Sequence, residues 1–327
     1  MTSTTDANAD ATDANAATPD GYGELRAQLA TLTTEAFRPE LAEIDQLPTA
    51  EIARIMNGED STVPAAVARA LPQIAAAIDA TAERMARGGR LIYAGAGTAG
   101  RLGVLDASEC PPTFNTDPSE VIGLIAGGPS AMVTAVEGAE DSKELAAADL
   151  DGLGLTADDT VVGISASGRT PYAVGAVEHA RSLGALTLGL SCNADSALGA
   201  AAEHGLEIVV GPELLTGSTR LKAGTAQKLV LNMISTITMI RLGKTYGNLM
   251  VDVRASNEKL RARSRRIVSL ATGASDQEIE AALIATDGEV KNAVLTILGG
   301  VDGPTASRLL AESHGHLRAA LAAVRTT

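Results

Sequence analysis

Five short apolar runs, separated by segments with a helical pattern, constrain the fold of this chain more than any other feature. The runs are Arg90 to Ala94, Val121 to Ala126, Thr160 to Ser165, Leu186 to Ser191 and Glu207 to Val210. Apolar strands that alternate with helices are typical of a parallel sheet covered on both faces. The sequence therefore predicts an α/β fold with a doubly wound, mostly parallel, five-stranded sheet. Ligands bind such sheets outside the carboxyl ends of the strands.

The composition agrees with this fold and excludes several classes of function. Hydrophobic residues make up 45% of the 327 residues and aromatic residues only 2%, so aliphatic side chains must fill the core. The net charge of -14 argues against a nucleic-acid or anionic membrane surface. Two cysteines support neither a disulfide framework nor a zinc site, and no apolar stretch is long enough to span a bilayer. A cytoplasmic protein is expected.

Three regions are expected along the chain. Residues 1–20 consist almost only of Thr, Ala, Asp, Asn and Ser, which predicts a disordered acidic tail. Residues 21–265 form the sheet domain and begin with an N-terminal helical brace. Residues 266–327 form a small helical module. The capping-box pattern Ser275-Asp-Gln-Glu278 predicts the start of a helix in this module.

Two predicted helices lie next to the candidate site. One runs from Pro129 to Glu140 and follows the second strand. The other runs from Thr219 to Lys244 and is a candidate for a dimer interface. Its apolar face is formed by Leu229, Met233, Ile237 and Ile240.

The first candidate loop follows the first strand and is rich in glycine. Gly95, Gly97 and Gly100 let the backbone approach an anion at the N-terminus of a helix, which makes Gly97 and Thr98 candidate phosphate contacts. The same spacing matches the dinucleotide pattern G-x-G-x-x-G. That interpretation needs an acidic residue at the end of the second strand, but this strand ends in Gly127-Gly128-Pro129.

Two further loops are rich in hydroxyl groups. Ser165, Ser167, Gly168 and Thr170 follow the third strand and open a helix, an arrangement typical of a neutral phosphate nest. The alternative is a helix cap, for which one hydroxyl is enough. The segment from Thr216 to Gly224 is similar, and its Ser218 and Lys222 are candidate sugar contacts. There the alternative is again a cap with ordinary surface charges.

Two glutamates are candidate catalytic acids. Glu109 follows the first glycine loop and lies beside Cys110, where partial burial would let it act as an acid. Glu140 ends the predicted helix after the second strand and is the weaker candidate by spacing alone, since Glu137 or Asp141 could equally face solvent. The alternative for each is a solvated surface side chain.

Several long motifs, in order, resemble the N-acetylmuramic acid 6-phosphate etherase family, whose members are built on the sugar isomerase (SIS) domain. The motifs are GAGTAGRLGVLDASECPPTF, AVEGAED, SASGRTPY, TGSTRLKAGTAQK and YGNLMVDV. The resemblance implies cleavage of the lactyl ether of N-acetylmuramic acid 6-phosphate with water during cell-wall recycling. It also implies a homodimer without a metal or other cofactor.

By motif position, Glu109 matches the proton donor of that family and Glu140 matches its second active-site glutamate. Ala99 stands where the family commonly has Ser, which puts one hydroxyl contact in doubt. Two other functions of SIS-like chains stay open at this point. One is a non-catalytic sugar-phosphate sensor, similar to glucokinase regulatory proteins, and the other is an aldose–ketose isomerase.

Overall fold

Five parallel strands form the sheet in this computed structural model, which describes residues 29–253 and 258–325 together with Gly23, Arg26 and Ala27. The predicted tail, residues 1–20, lies outside the described residues. The strands are β1 (Leu91–Gly95), β2 (Val121–Ile125), β3 (Thr160–Ile164), β4 (Leu186–Ser191) and β5 (His204–Glu207). They pair in the order β2-β1-β3-β4-β5, and every pairing is parallel. The predicted fold class is confirmed.

Helices cover both faces of this sheet and build a separate C-terminal module. Around the sheet lie α1 (Thr49–Asp60), α2 (Val63–Arg69), α3 (Leu71–Ala86), α4 (Gly97–Phe114), α5 (Lys143–Gly152), α6 (Pro171–Ser182), α7 (Ala197–Ala201) and α8 (Lys222–Arg241). The module contains α9 (Glu258–Thr272), α10 (Asp276–Ala285), α11 (Val290–Gly299), α12 (Gly303–Glu312) and α13 (Leu317–Val324). None of the described helices is long and apolar enough to cross a membrane.

The strands are buried on both faces because alternate side chains point to opposite sides of the sheet. Leu91 and Tyr93 of β1 pack with α3, α4 and α8 on one face, whereas Ile92 and Ala94 pack with α5 and α6 on the other. Each fully buried aliphatic side chain stabilises the fold by about 1.5–3 kcal/mol. This double burial fixes the register of the strands, and with it the positions of the loops at their carboxyl ends.

The C-terminal module has its own apolar core. Val251 and Val253 already belong to this core, together with Ile267 and Val268 of α9. The packing therefore includes α9 in the module, whereas the sequence suggested a boundary between residues 265 and 266. The predicted capping box at Ser275 is present at the start of α10.

Two sequence predictions near the sheet are wrong. The strand predicted from Glu207 to Val210 forms three residues earlier, at His204–Glu207. Ile208 and Val210 are buried in the main core, but they lie beyond the strand, so apolar burial was mistaken for strand pairing.

The helix predicted from Pro129 to Glu140 is replaced by 3-10 turns at Pro129–Met132 and Ala139–Asp141. Gly138 between them has a φ of 72°, and the Val133 side chain is 91% exposed. A helix here would have little apolar surface to bury, so the segment forms a loop instead.

The long helix α8 begins at Lys222 rather than Thr219. Its core face is formed by Val230, Leu231 and Ile234, not by the four residues predicted. Of those, Leu229 and Met233 are half-buried, and Ile237 and Ile240 are exposed. Ile237 and Ile240 therefore lie on the outer side of the helix in the single chain, whereas Leu229 and Met233 pack partly against the core.

Candidate active site

A cavity of about 520 Å³ opens at the carboxyl ends of β1 and β3. These neighbouring strands flank the point where the chain reverses its direction across the sheet, which is where ligands bind in such folds. Of the residues predicted from the sequence, the cavity is lined by Gly97, Thr98, Glu140, Ser165, Ser167 and Thr170. The first and second candidate loops thus face one space.

The second loop presents three hydroxyl groups to this cavity. The Ser165 Oγ lies 2.8 Å from the Thr170 Oγ1 and 3.2 Å from the Ser167 Oγ, and it accepts the Gly168 N–H at 3.0 Å. The Arg169 N–H donates to the Ser167 Oγ at 3.2 Å. Thr170 is the N-cap residue of α6, yet its side chain makes no capping hydrogen bond. The hydroxyls therefore build a nest rather than a helix cap.

Gly168 shapes the nest from behind. Its φ is 69°, a conformation that favours glycine. A Cβ atom at this position would lie 2.4 Å from the Cβ of Ser196. Both the conformation and the available space therefore require glycine, and the residue supports the loop without lining the cavity.

The first loop places the start of α4 beside the nest. Ala96 is the N-cap residue of α4 and no side chain caps this helix, so its N-terminal N–H groups remain available to an anion. A Cβ atom on Gly100 would lie 2.6 Å from the carbonyl oxygen of Gly95, so the helix packs closely on the end of β1. Two uncapped helix N-termini, those of α4 and α6, thus meet at the cavity.

Gln227 of α8 adds a buried donor to the cavity wall. Its side chain is 1% exposed, and its Nε2 atom has no hydrogen-bond partner among the described residues. A buried polar group without a partner costs about 1–3 kcal/mol. Because Gln227 lines the cavity, a bound polar ligand would relieve that cost. Gln227 is not among the residues predicted from the sequence, although a glutamine on the buried side of an apolar helix is a detectable signal.

An N-terminal segment covers part of the cavity. The Asn193 Oδ1 accepts the N–H and hydroxyl of Thr33 at 2.8 and 2.9 Å, and the Asn193 Nδ2 donates to the Ala166 carbonyl at 3.0 Å. Asn193 therefore ties this segment to the second loop. This hydrogen-bonded link places Leu32 and Glu35 in the cavity wall. The sequence pattern did not indicate that position for either residue.

The charges around the cavity are mixed. The carboxylates of Glu35, Glu140 and Asp141 and the guanidinium of Arg169 all line it. Arg169 Nη2 lies 3.5 Å from the Thr31 hydroxyl. Besides the guanidinium of Arg169, an anion at this cavity would therefore meet chiefly N–H and hydroxyl groups. Among the described residues, no three His, Cys, Asp or Glu side chains are grouped so that they could hold a metal ion.

Comparison with known proteins identifies the family. Residues 73–181 match the glucokinase regulatory protein N-terminal SIS domain model, and residues 135–237 match the SIS domain model. The N-acetylmuramic acid 6-phosphate etherases of Streptomyces avermitilis and Streptomyces coelicolor are 88% and 84% identical over 92% of this chain and 97% of their own. That of Rubrobacter xylanophilus is 61% identical over 90% of this chain and 97% of its own. The chain belongs to the N-acetylmuramic acid 6-phosphate etherase family.

The two glutamates that the etherase motifs single out lie apart in this chain. Glu140 is in the 3-10 turn Ala139–Asp141, at the cavity. Glu109 is twelve residues beyond Gly97 on α4, a separation of about 18 Å along the helix axis. Its side chain is exposed, so the partial burial expected from the sequence is absent in the single chain. Glu109 lines neither of the two cavities, of about 520 and 180 Å³, that Glu140 lines.

Lys222 and Ser218, the other predicted contacts, do not line the cavity either. The Lys222 side chain is only 5% exposed and its Nζ lies 2.8 Å from the Glu59 carboxylate. The backbone N–H groups of Lys222 and Ala223 donate to the buried Glu213 carboxylate at 2.9 and 3.0 Å. Burial raises the pKa of Glu213, against the opposing effect of these N–H groups. The N–H groups at the N-terminus of α8 are thus bound by a carboxylate of the chain itself.

Proposed function

We propose that this chain cleaves the D-lactyl ether of N-acetylmuramic acid 6-phosphate with water, giving N-acetylglucosamine 6-phosphate and D-lactate. Members of its family are carbon–oxygen lyases, and the relatives carry the etherase name across nearly their whole length. The observation that carries the proposal is the cavity itself. It combines a hydroxyl nest at two helix N-termini with the carboxylate of Glu140.

The nest suits the 6-phosphate of this substrate. Backbone N–H groups at helix N-termini and neutral hydroxyls bind phosphate without a cluster of cations. The phosphate is remote from the ether, so it acts as a handle that orients the reacting carbons. Gln227, which lines the same cavity, supplies a further donor for the sugar.

The reaction follows from the chemistry of the open-chain sugar. The C3 ether lies β to the C1 aldehyde, so the C2 proton is acidic enough for a carboxylate to remove it. The C3–O bond then breaks, and a carboxylic acid protonates the departing lactate oxygen. Water adds to C3 and a proton returns to C2, which restores the saturated sugar. Two glutamates in different environments provide the base and the acid.

In this proposal the active form is a homodimer, and Glu109 acts in the site of the partner subunit. Glu109 lies one turn after Leu105 on the same face of α4, and the Leu105 side chain is 51% exposed. Ile237 and Ile240 of α8 are also exposed. A dimer that buries these apolar side chains would take Glu109 out of solvent. The proposal places the enzyme in the cytoplasm, in the recycling of cell-wall amino sugars, where it needs no metal or other cofactor.

The direct test is to incubate the purified chain with N-acetylmuramic acid 6-phosphate and to measure D-lactate. Glu140→Gln should lower the turnover by about 100-fold or more, with N-acetylglucosamine 6-phosphate still bound. Glu83→Gln, on the exposed surface of α3, is the matched control and should keep full activity. Binding of the sugar phosphate by wild type without D-lactate release would instead favour a sensor.

Mixing two inactive variants tests the position of Glu109. Each of Glu109→Gln and Glu140→Gln should be inactive alone. If Glu109 acts across the dimer, half of the randomly exchanged dimers regain one complete site, and the mixture recovers about a quarter of the wild-type activity. A mixture that stays inactive after demonstrated subunit exchange would place Glu109 outside the partner's site.

A further inference from the structure

A second, smaller cavity adjoins the one that holds the nest. Its volume is about 180 Å³, and Ala96, Gly97 and Glu140 line both cavities. Pockets for drug-sized ligands usually measure about 300–1,000 Å³, so this space suits a fragment of a few heavy atoms. Small side chains, among them Ala126 and Ala135, form much of its remaining wall. Glu140 therefore lies between a sugar-sized space and a space for a small substituent.

Arg101 gives this small cavity a specific chemistry. Its guanidinium is half-buried and lines the cavity. The Nε donates to the Met132 carbonyl at 3.0 Å and the Nη2 donates to the Ala131 carbonyl at 2.7 Å. A guanidinium carries five N–H donors, so these two bonds hold its plane and leave donors for another acceptor.

No carboxylate in the described part of the chain neutralises this guanidinium. Among the described residues, Arg101 forms no ion pair within 4 Å, although the net charge is -14. Glu137 and Glu140 line the same cavity, but both are exposed and neither reaches Arg101. A half-buried, fixed guanidinium with spare donors is the group that proteins use to bind planar carboxylates.

We infer that the small cavity is the subsite for the leaving group, where Arg101 binds the carboxylate of the lactyl substituent. The inference rests on the proposed function and adds to it a residue that recognises the group to be cleaved. The phosphate lies in the neutral nest and the carboxylate at Arg101, so the two anions of the substrate have separate sites. The ether bond between them then lies next to Glu140, which lines both spaces.

Recognition of the carboxylate also explains selectivity among sugar phosphates. A 2-hydroxycarboxylate gains a charge-assisted contact at Arg101, whereas a plain alkyl ether leaves the guanidinium without an acceptor. Binding of the alkyl ether would then carry the cost of a desolvated guanidinium without an acceptor, so the lactyl ether is preferred.

The test compares two substrates in two enzymes. One substrate is N-acetylmuramic acid 6-phosphate, and the other is the 3-O-ethyl ether of N-acetylglucosamine 6-phosphate, which has no carboxylate. Wild type should prefer the lactyl ether in kcat/KM by about 10- to 100-fold. In Arg101→Met this preference should fall to within about 3-fold. Arg101→Lys, which keeps the charge but not the planar fork, should be intermediate.

This ratio separates recognition from a structural role. Arg101 also holds the loop through the carbonyls of Ala131 and Met132, so a purely structural role would slow the reaction of both substrates equally and leave their ratio unchanged. Arg87→Met, at an exposed ion pair with Asp158, is the matched control and should keep both the rates and the ratio. An unchanged ratio in folded Arg101→Met would overturn the inference.

Product binding gives a readout that needs no turnover. By calorimetry, Arg101→Met should weaken D-lactate binding by about 10-fold or more, with N-acetylglucosamine 6-phosphate binding unchanged. If the sugar phosphate is the ligand that weakens, Arg101 binds phosphate and the inference is wrong. Failure of wild type to release D-lactate would refute the proposed function, whereas release with no dependence on Arg101 would refute only the subsite.

Discussion

Two hydroxyl-rich loops that look alike in the sequence differ in the structure in what binds the N-terminus of the helix that follows. Both the loop at Ser165 to Thr170 and the loop at Thr216 to Thr219 precede a helix. In the first, the hydroxyls bond one another and the N-terminus of α6 has no side-chain cap. In the second, the buried Glu213 accepts the first N–H groups of α8.

The difference shows what decides whether the free N–H groups at a helix N-terminus bind a ligand or a side chain of the protein itself. An N-terminus attracts whichever anion reaches it. Glu213 lies nine residues before Lys222 and is wholly buried, so the chain supplies that anion itself. No described carboxylate caps α6, and its N-terminus opens into the cavity instead. The loop that lacks its own anion is the one suited to bind phosphate.

Removing the internal anion should have the largest effect on stability. Glu213→Ala leaves two buried N–H groups without an acceptor and creates a cavity, which should lower the free energy of unfolding by about 3–4 kcal/mol. Urea denaturation measures this loss. The exposed Glu203→Ala is the control, and it should change the stability by less than about 0.5 kcal/mol. Equal losses in the two variants would mean that Glu213 does not hold α8.

The raised pKa of Glu213 adds a pH dependence to this comparison. A carboxyl whose pKa is higher in the folded state than its ordinary value of 4.5 binds more protons when folded. Its contribution to stability is therefore fully present below that ordinary pKa and declines as the pH rises toward the folded value. Denaturation of wild type and Glu213→Ala across this range should show the decline in wild type only.

Removing a hydroxyl from each loop should affect activity unequally. Ser165→Ala deletes the oxygen that contacts Ser167, Thr170 and the Gly168 N–H, so kcat/KM for the phosphorylated substrate should fall by about 10- to 100-fold. Ser218→Ala should change it by less than about 3-fold, because Ser218 does not line the cavity. Steady-state D-lactate release measures both. Comparable losses would mean that the second loop also contacts the substrate.

Much of the fold was predictable from the sequence because its cause is local. Buried parallel strands are continuous apolar runs, and four of the five strand positions agree with prediction to within one residue at each end. The fifth was misplaced because Ile208 and Val210 are apolar for packing reasons alone. The loop at residues 129–141 was misjudged because a helical pattern does not reveal whether a surface is available to bury it.

The site was predictable where its residues lie close together in the sequence, in the loops that follow β1 and β3. Ser165, Ser167 and Thr170 lie together in the sequence and in space, so their pattern located the nest. Gln227 lies far from both loops in the sequence, and Arg101 follows the first loop directly; only the packing of α8 and α4 on the sheet brings these two side chains to the cavities. Glu109 is exposed in the single chain, and its burial in the proposed dimer would depend on a partner surface that the pattern of one chain does not encode.

Breaking the internal ion pair of α8 should affect stability more than catalysis. Lys222→Met removes one of the two cations that contact the Glu59 carboxylate, and the other, Arg38, stays at 2.7 Å. Because Glu59 keeps one partner, the free energy of unfolding should fall by only about 1–3 kcal/mol. The KM for the sugar phosphate should stay within about 3-fold of wild type. A large increase in KM without loss of stability would restore Lys222 as a substrate contact.

The same variant should change the response to acid. Burial acts to raise the pKa of Glu59, but the hydrogen bonds from Lys222 and Arg38 outweigh it and hold the pKa below its ordinary value of 4.5. Such a carboxyl contributes stability above that value, and the contribution is lost as the pH falls through the folded pKa. Without Lys222 the folded pKa rises, so Lys222→Met should lose less additional stability than wild type between about pH 5 and pH 3.

The smallest expected effect comes from adding a hydroxyl group to the cavity at the uncapped N-terminus of α4. Ala99 lies in the first turn of α4, lines the cavity and is 7% exposed. In Ala99→Ser the new hydroxyl would join the Ser165 loop around the phosphate, and one net hydrogen bond of about 0.5–1 kcal/mol lowers the KM by about 2- to 5-fold. The kcat should not change, because the phosphate contact is the same in the ground state and the transition state. Ser218→Thr, at the filled loop, is the matched control and should leave the KM unchanged. A lower KM in the control variant alone would reverse the assignment of the two loops.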